Sequence, residues 1–576
     1  MRRLLAILLA AFALLLLLLV VAALTFRFAL RSGPHVPDKA VLQLEVSGSI
    51  EEYDPEQPLA YWAGLRHVTV RSLLRALEKA ESDPRIAAVW MRIGPNDLGW
   101  AKLDELRAAV ERVRQRGKYV IAQLGDCDDR LYYLALAADR IELAPEALAL
   151  IDGLMARYTF LKGTLDKLGI EAQVEAQGKY KSAGEALNRE SMSPPAREEA
   201  EALLDDNYER LLAAIAAGRQ RSAAEVRGWL DDPSYTPADL VARGMVDGNA
   251  YPDQIRRQLK HKLGLERDAK LEPVDAVAYA GDEEAPGWGP TIALVYAVGT
   301  IGGEKSGFDP VFGRTIGWKT LGASLREAAA DDSIEAIVLR IDSPGGAMLA
   351  SDLIWREVQN AARKKPVVAS MSDLAASGGY YIAMGAQRIL ADPSTLTGSI
   401  GVVATLFSLD QAYQKLGFSH TVLKRGRWSD ATDNSRALTE AERARFGAEV
   451  RRAYRRFVAK VAAARGRGVG EIESVAQGRV WSGAQALKLG LVDEIGGLSE
   501  AIAAARRLAK IPADEEINTI VFPKPRGFLE WIAEGLDVRR RLELPEPLQL
   551  AQRAGSLLRL GRGEPLALMP WVPELW

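Results

Sequence analysis

A serine stands in a setting that suits nucleophilic chemistry between residues 372 and 389. Ser377 lies between two alanines and two glycines in AASGGYYIA, just before an apolar segment that predicts a buried helix. Because alanine and glycine have small side chains or none, backbone amides can lie close to the Ser377 hydroxyl. A serine hydroxyl is a weak nucleophile alone and requires a base. No histidine lies in this stretch, so the base must come from elsewhere in the chain.

An internal duplication points to that base. Arg340 follows Arg92 by 248 residues, and the same offset joins Tyr132 to Tyr380. The offset holds without a gap from about residue 86 to residue 183. A unit of this length indicates a duplicated domain rather than a short structural repeat.

The two halves differ at the positions that could carry chemistry. Ser377 corresponds to Asp129, so the first half has no nucleophile. Lys181 lies 52 residues after Asp129, whereas Ser429 lies 52 residues after Ser377. These complementary losses are expected if an ancestral oligomer shared serine and lysine across an interface before the chains were fused. We therefore predict that Lys181 is the base for Ser377 and reaches it across the interface between the halves.

A lysine can act as a base only in its neutral form. Its reference pKa is about 10.4, and burial can lower that value by several units. A Ser–Lys pair is an established variant of the catalytic triad and needs no histidine. The neighbouring Lys179 corresponds to Arg427, and this retained cation is interpreted as a surface residue. His420 corresponds to Ala172 and is interpreted as a surface histidine.

A glycine pair and a second serine complete the candidate site. The second half reads IDSPGG at 341–346, where the first half reads IGPNDL, and adjacent glycines let amides approach a ligand closely. Such amides can stabilise an oxyanion. Ser399, in LTGSIG, corresponds to Ile151. Its hydroxyl either bonds to the backbone or orients neutral Lys181.

The elements that must position these residues follow an α/β rhythm. The segments AAVWMRI and EAIVLRI, then YVIAQL and VVASMS, are short apolar runs rich in branched residues. They predict buried strands, and helical stretches precede them. Strand, helix and strand in this order predict parallel sheets covered by helices in both halves.

The N-terminus predicts a membrane anchor. Leu4 to Leu24 is an unbroken apolar run of 21 residues, roughly 31 Å of helix at about 1.5 Å per residue. We interpret it as an uncleaved anchor over 4–26 rather than a signal peptide, since no convincing cleavage site precedes Arg27. Arg2 and Arg3 favour a cytoplasmic N-terminus, although Arg27 weakens the charge bias.

Composition excludes several classes of function. The net charge of −2 gives no indication of nucleic-acid binding. The single cysteine, Cys127, excludes an intramolecular disulfide framework and a multi-cysteine zinc site. No acidic cluster has metal-ligand spacing, so we predict neither a metal nor a cofactor.

Four motifs together resemble a known family. SPGG, AASGGYYIA, PSTLTGSIG and YKSA are similar to those of the signal peptide peptidase A family, in its long duplicated bacterial form, from the anchor to about residue 510. The resemblance implies a Ser–Lys serine peptidase, with Ser377 as nucleophile and Lys181 as general base. It implies tandem Clp-protease/crotonase-like domains behind an N-terminal transmembrane helix. By analogy with Clp protease, the amides of Gly346 and Gly378 would hold the oxyanion, with Gly345 in support.

The resemblance also implies substrates, location and assembly. Family members cleave remnant signal peptides and other short hydrophobic peptides in or at the membrane. We expect a single-pass protein of the inner membrane, with most of the chain on the periplasmic side. Because family members form rings, a homotetramer is expected.

The chain divides into the following predicted segments: 1–3 cytoplasmic, 4–26 anchor, 27–38 linker, 39–265 first repeat, 266–289 linker, 290–513 second repeat and 514–576 tail. The tail carries Trp531, Trp571 and Trp576 among Leu and Arg. It is either a docked amphipathic segment or an interfacial membrane contact.

Two other classes of function fit the sequence less well. A crotonase-like acyl-CoA enzyme would also use glycine amides, but it needs a CoA-phosphate site, and the sequence shows no glycine-rich phosphate loop. A non-catalytic scaffold of peptidase ancestry would be indicated by loss of Ser377 or Lys181, and both residues are present.

Overall fold

The computed structural model describes residues 34–53, 68–232, 236–281, 289–310, 313–524, 566–568 and 574–575. The predicted anchor and the three tail tryptophans lie outside these ranges. Within them, no helix is both long enough and apolar enough to cross a membrane.

The first half alternates strands with helices, as the sequence predicts. Its strands are β1 (Ala40–Gly48), β2 (Ile86–Asn96), β3 (Tyr119–Leu124), β4 (Cys127–Asp128), β5 (Arg140–Leu143), β6 (Ala149–Leu150), β7 (Ala156–Arg157), β8 (Glu171–Gln177), β9 (Gly248–Asn249) and β10 (Val274–Asp275). Its helices are α1 (Val70–Ser82), α2 (Trp100–Gln115), α3 (Asp129–Ala135), α4 (Lys162–Leu168), α5 (Glu185–Asn188), α6 (Pro194–Arg219), α7 (Ala223–Leu230), α8 (Pro237–Arg243), α9 (Pro252–Lys262) and α10 (Ala276–Ala280).

The second half repeats this pattern. Its strands are β11 (Thr291–Val298), β12 (Thr300–Ile301), β13 (Gly307–Asp309), β14 (Gly313–Ile316), β15 (Ile334–Ser343), β16 (Gly345–Ala347), β17 (Val367–Ala376), β18 (Arg388–Ala391), β19 (Leu396–Gly398), β20 (Val402–Ser408), β21 (Val480–Ser482), β22 (Glu494–Ile495) and β23 (Asn518–Phe522), with β24 (Leu566–Leu568) and β25 (Glu574–Leu575) in the tail. Its helices are α11 (Trp318–Ala330), α12 (Met348–Ala362), α13 (Gly378–Ala383), α14 (Asp410–Lys415), α15 (Glu440–Arg465), α16 (Val469–Val475), α17 (Gly483–Lys488) and α18 (Leu498–Leu508).

Each half contains its own main sheet. In the first half the order is β10-β1-β2-β3-β5-β9, and every pair is parallel. In the second half the order is β21-β19-β17-β15-β11-β23, with β18 beside β17. The strands predicted from AAVWMRI, YVIAQL, EAIVLRI and VVASMS are confirmed as β2, β3, β15 and β17. The two main sheets also include β10 and β23, which lie in the segments predicted as linker and tail, respectively.

The duplication is visible in where elements begin. The strand β3 begins at residue 119 and β17 at residue 367, while α2 begins at residue 100 and α12 at residue 348. Both pairs keep the 248-residue offset of the sequence. Equivalent apolar patterns therefore fold into equivalent elements.

A third sheet joins the two halves. Its order is β13-β14-β12-β16-β24-β20-β8, so β8 of the first half completes a sheet of the second half. The strands β20 and β8 are antiparallel, from Val402 opposite Gln177 to Ser408 opposite Glu171. This pairing brings the segment that follows β8 into the second half.

A buried ionic cluster also fixes the interface between the halves. The Arg340 guanidinium is fully buried and donates to Glu52 at 3.0 Å and to Glu105 at 2.6 Å, both from the first half. Lys102 donates to Asp342 at 2.7 Å. Removing one partner from a buried ion pair costs about 3–5 kcal/mol, because the remaining charge stays buried and uncompensated. The cluster therefore favours one relative placement of the halves.

Candidate active site

Ser377 occupies a strained turn between β17 and α13. Its φ of 56° lies in the left-handed region, which is sparsely populated for residues other than glycine. Its N–H donates to the Gly398 carbonyl at 2.8 Å, and its carbonyl accepts from the Tyr381 N–H at 2.9 Å. The residue is fully buried, and α13 is buried throughout, as predicted. These contacts fix the backbone conformation of Ser377.

The glycines after Ser377 are required by close packing. A Cβ added to Gly378 would lie 2.7 Å from the Ser351 hydroxyl, and one added to Gly379 would lie 2.7 Å from the Ser343 carbonyl oxygen. Neither position can hold a side chain without movement of its neighbours. The S-G-G motif is thus explained by the approach of α13 to α12 and to the end of β15.

Lys181 reaches the serine from the other half. It follows β8 and a turn at Gly178, and the Tyr180 N–H donates to the Gln477 carbonyl at 2.8 Å. Only 4% of Lys181 is exposed. Its Nζ lies 2.9 Å from Ser377 Oγ, across the interface between the halves. The two residues lie in different repeats, yet the distance falls within the hydrogen-bond reach expected of a base and its nucleophile.

The lysine nitrogen has three polar contacts, which a neutral amine can satisfy. Besides Ser377 Oγ, the Nζ atom lies 3.1 Å from the Ser399 carbonyl oxygen and 2.9 Å from Ser399 Oγ. A neutral amine has two hydrogens and one lone pair. Both hydrogens can be donated to Ser399, which leaves the lone pair to accept the Ser377 O–H. An ammonium group would instead present a third hydrogen to the serine.

Burial is the main electrostatic effect on this lysine. It lowers the pKa of Lys181 to about 7, while the nearby Glu199 acts in the opposite direction. Burial also raises the pKa of Glu199 to about 8. Glu199 accepts a hydrogen bond from the Val480 N–H. Because Glu199 is largely protonated at neutral pH, it stabilises the charged form of Lys181 less than a carboxylate would.

The lowered lysine pKa predicts the pH dependence of activity. We expect kcat/KM to rise about tenfold per pH unit up to about pH 7 and to level off above it, because only the neutral amine accepts the serine proton. The measurement is kcat/KM for a soluble peptide between pH 4.5 and 9. A profile that stays flat below pH 5 with chemistry rate-limiting would contradict the assignment of the base.

The glycine pair lies against the turn that carries Ser377. Gly345 has φ 98° and Gly346 has φ 154°, and a Cβ added to Gly378 would lie 3.0 Å from the Gly346 nitrogen. The Gly345 N–H donates to Ser343 Oγ at 3.2 Å. As the first residue of α13, Gly378 has an amide with no acceptor inside its helix. The structure thus brings the backbones of Gly346 and Gly378 together beside Ser377.

In the first half, two carboxyl groups, those of Asp373 and Asp129, lie in the region equivalent to the site. Asp373 accepts hydrogen bonds from the amides of Gly99 and Ala101 at 3.1 and 3.0 Å, where α2 begins. Asp129, at the position of the nucleophile, is 3% exposed and accepts from the Gly153 amide at 3.1 Å. Burial raises the pKa of Asp129 to about 8. The first half therefore has a buried carboxyl group where the second half has Ser377, and Asp373 occupies the amides at the start of α2.

Ser399 contacts the lysine, as one of the two sequence-based alternatives predicts. It is fully buried with φ 48°, and its N–H donates to the Arg479 carbonyl at 2.7 Å. Both its carbonyl and its hydroxyl lie within hydrogen-bond distance of Nζ. Ser399 is thus placed to orient the amine.

Replacing Ser399 by alanine is expected to lower kcat/KM about 10- to 100-fold, because one of the two acceptors that orient the lysine is lost. The effect should fall on kcat more than on KM, since the hydroxyl does not face the substrate. Steady-state kinetics with Ser324→Ala, a buried serine within α11 whose hydroxyl donates to the Thr320 carbonyl, provide the control. Unchanged kcat in Ser399→Ala would exclude this orienting role.

The residues interpreted as surface groups lie at the surface. Lys179 is exposed and hydrogen-bonds to Tyr180 and Glu198. His420 is exposed and packs against the Tyr413 ring. Across the described ranges, no group of three or more His, Cys, Asp or Glu residues is arranged to hold a metal ion.

A pocket beside Lys181 was not predicted from the sequence. Its walls include the following residues of both halves: Tyr158, Phe160, Ser182, Glu199, Leu203 and Leu396. Most of these side chains are apolar. Glu199 lies in a helix rich in glutamate, and no local pattern distinguishes it from its neighbours. Its burial depends on contacts between the halves, which the sequence does not display.

Comparison with known families identifies the class of protein. Peptidase family S49 matches residues 112–266 and 359–512, one match in each half and together more than half of the chain. A duplicated peptidase domain of this kind defines a serine peptidase. The chain belongs to peptidase family S49.

Curated relatives extend the similarity over most of the chain. It is 38% identical over 463 residues to "Serine protease SPPA, chloroplastic" of Arabidopsis thaliana, which covers 80% of this chain and 68% of that protein. It is 30% identical over 500 residues to "Protease 4" of Salmonella typhi, covering 84% and 79%. A "Putative signal peptide peptidase SppA" of Enterococcus faecium is 32% identical over 188 residues, covering 32% and 55%.

Among solved structures, the chain is similar to a serine-to-alanine mutant of the membrane-bound stomatin-specific protease 1510-N, at 18% identity and a TM-score of 0.26. That match covers 40% of this chain and 98% of the other. An asparagine-to-aspartate mutant of ClpP1 from Listeria monocytogenes gives 18% identity and a TM-score of 0.24, covering 36% and 94%.

Proposed function

We propose that the protein is a Ser–Lys endopeptidase in which Ser377 is the nucleophile and Lys181 the general base. The observation that carries this proposal is the 2.9 Å separation of Lys181 Nζ from Ser377 Oγ in a buried site. As Oγ attacks the peptide carbonyl, neutral Nζ takes its proton. The Gly346 and Gly378 amides stabilise the oxyanion that forms.

The remaining steps use the same groups. Protonated Lys181 gives its proton to the leaving amine, which releases the first product and leaves an ester on Ser377. Lys181, neutral again, then takes a proton from water as the water attacks the ester. Collapse of the second tetrahedral intermediate returns the proton to Ser377 and releases the second product.

An extended peptide fits this site as a strand of the third sheet, in the place that β24 takes between β16 and β20. The tail strand β24 supports this binding mode, because it lies between β16 and β20 and is antiparallel to both. Within that pairing, Ala567 lies opposite Gly346. Backbone pairing of this kind is a recurrent mode of peptide recognition. A substrate on the same path would place its carbonyls beside the proposed oxyanion amides.

The proposed substrates are remnant signal peptides, after their release by signal peptidase, and other short hydrophobic peptides. Three observations support this substrate class: relatives named SPPA and signal peptide peptidase, a largely apolar pocket beside the dyad, and the N-terminal apolar run. The anchor holds the enzyme in the inner membrane, with most of the chain on the periplasmic side. Several copies, four in the proposed assembly, act together.

Deletion of residues 1–35 tests the role of the anchor. The truncated protein is expected to hydrolyse a soluble peptide at the full-length rate, because no proposed catalytic group lies in the deleted segment. It should cleave a signal peptide embedded in lipid vesicles at least tenfold more slowly than the full-length protein. Both rates are measured by mass spectrometry of the products. Equal cleavage of the embedded peptide by the two proteins would refute the proposed membrane anchoring.

A further inference from the structure

The pocket beside Lys181 contains a buried carboxyl group, that of Glu199. This residue is 5% exposed and forms part of the pocket wall. One of its carboxyl oxygens accepts a hydrogen bond from the Val480 N–H. In the described part of the chain, the other oxygen has no hydrogen-bond partner, and it is not enclosed by protein atoms. Because buried polar groups are normally hydrogen-bonded, this oxygen is available to a group that enters the pocket.

The charge of the pocket is one-sided. Two carboxyl groups, those of Glu185 and Glu199, belong to its wall, and no basic side chain is present among the described residues that line it. The nearby Arg479 guanidinium donates to Glu198 at 2.8 Å, and Glu198 is not part of the wall. Glu199 therefore has no counter-ion inside the pocket, and a cationic ligand group would supply one.

The remaining wall suits an apolar stem. The helix α6 contributes Ala196, Ala200 and Leu203 together with Glu199, at spacings of three and four residues, so all four lie on one face of the helix. Phe160 and Leu396 add further apolar surface. Lysine and arginine side chains combine a methylene stem with a charged end, and they bury the stem along apolar surfaces of this kind.

The pocket lies next to the groups that would carry out the reaction. Its residues Leu203 and Val480 pack in one apolar cluster with Ala376, which directly precedes Ser377. Ser182, which directly follows Lys181, also lines the pocket. A peptide bound for cleavage at Ser377 can therefore place one of its side chains in the pocket.

We propose that this pocket selects a lysine or arginine side chain of the substrate through an ion pair with Glu199. This preference rests on the proposed peptidase function and deepens it, because it names the class of substrate residue that one subsite prefers. Signal peptides begin with a positively charged region ahead of their apolar core, so the proposed substrates contain such residues. Glu199 is then a specificity-determining residue of the proposed reaction.

A bound cation is also compatible with a neutral base. In the empty pocket, burial raises the pKa of Glu199 to about 8, so its carboxyl group is largely neutral at pH 7. A cation beside Glu199 favours the carboxylate, and the two opposite charges largely offset each other at Lys181. An unpaired carboxylate would instead favour the ammonium form of Lys181, which cannot accept the serine proton.

Peptides that differ in a single side chain test the preference. Lysine is compared with norleucine, which has the same stem without the ammonium group, at one position at a time on both sides of the cleaved bond. We measure kcat/KM at pH 8 with the full-length protein in detergent. At one position, wild type should favour lysine by at least about tenfold, the effect expected for a buried charge pair. In Glu199→Gln, which keeps an acceptor for the Val480 N–H, this ratio should fall to near one.

A matched control lies on the same helix. Glu201 has a side chain that is 63% exposed, so Glu201→Gln should keep the wild-type ratio of lysine to norleucine. Thermal unfolding shows whether both variants fold, and the wild-type comparison needs no substitution at all.

The outcomes separate the preference from the proposed function. A wild-type enzyme that cleaves norleucine peptides through Ser377 but prefers lysine at no position would overturn the preference alone. A ratio that is unchanged in a folded Glu199→Gln protein would do the same. Cleavage of none of the peptides, or cleavage that persists in Ser377→Ala, would refute the proposed function and the preference together.

Discussion

Replacing Ser377 or Lys181 by alanine is expected to lower kcat for a soluble peptide by about 10⁴- to 10⁶-fold, the range seen when one member of a nucleophile–base unit is removed. Without the serine no acyl-enzyme forms, and without the lysine nothing 2.9 Å from Oγ takes its proton. Because the two residues act as one unit, the double variant should be no slower than either single variant.

The chain offers a matched control for the lysine. Lys179 lies two residues away in the same turn but is exposed, so Lys179→Ala should keep kcat within about twofold of wild type. Lys181→Met, which fills the buried space of the lysine stem, should be as inactive as Lys181→Ala while melting near the wild-type temperature. Near-normal turnover in either Lys181 variant would show that the base lies elsewhere.

The second large effect is expected at the glycine pair. Gly346→Ala should lower kcat by about 10²- to 10³-fold or more, the range for loss of one oxyanion donor. Its φ of 154° disfavours any side chain, and a Cβ there would lie 1.9 Å from the Ile301 carbonyl oxygen. The strand β16 must therefore shift, and the Gly346 amide shifts with it.

Gly302, which follows the neighbouring strand β12, provides the control. A Cβ on Gly302 would meet no described atom within 4 Å, so Gly302→Ala should leave kcat and the melting temperature nearly unchanged. Steady-state kinetics and thermal unfolding of both variants give the comparison. A fully active Gly346→Ala protein would remove this amide from the proposed oxyanion site.

The sequence predicts the repeated architecture because local patterns encode it. Branched apolar runs predict β2, β3, β15 and β17, and a constant offset relates the two halves. The pairing of Ser377 with Lys181 follows from the same offset, since serine and lysine are lost at complementary positions. A difference between two copies within one chain thus carries information that a single copy would lack.

Other features depend on contacts that no local pattern encodes. The strand β8 is the edge of a sheet in the other half, so its partner β20 lies more than two hundred residues away. The buried position of Arg340 follows from Glu52 and Glu105, although the equivalent Arg92 lies at the surface beside Glu45. The same residue type at equivalent positions is fully buried in one half and partly exposed in the other, according to what the opposite half places against it.

Covalent labelling with a fluorophosphonate tests the central claim most directly. The reagent should form one adduct per chain, mapped by mass spectrometry to Ser377, because this hydroxyl lies against a lysine with a lowered pKa and the proposed oxyanion amides. In Lys181→Met the rate of labelling should fall at least 100-fold, since the serine proton has no acceptor. An adduct on another residue, or an unchanged labelling rate in Lys181→Met, would contradict a Ser–Lys dyad shared between the two halves of the chain.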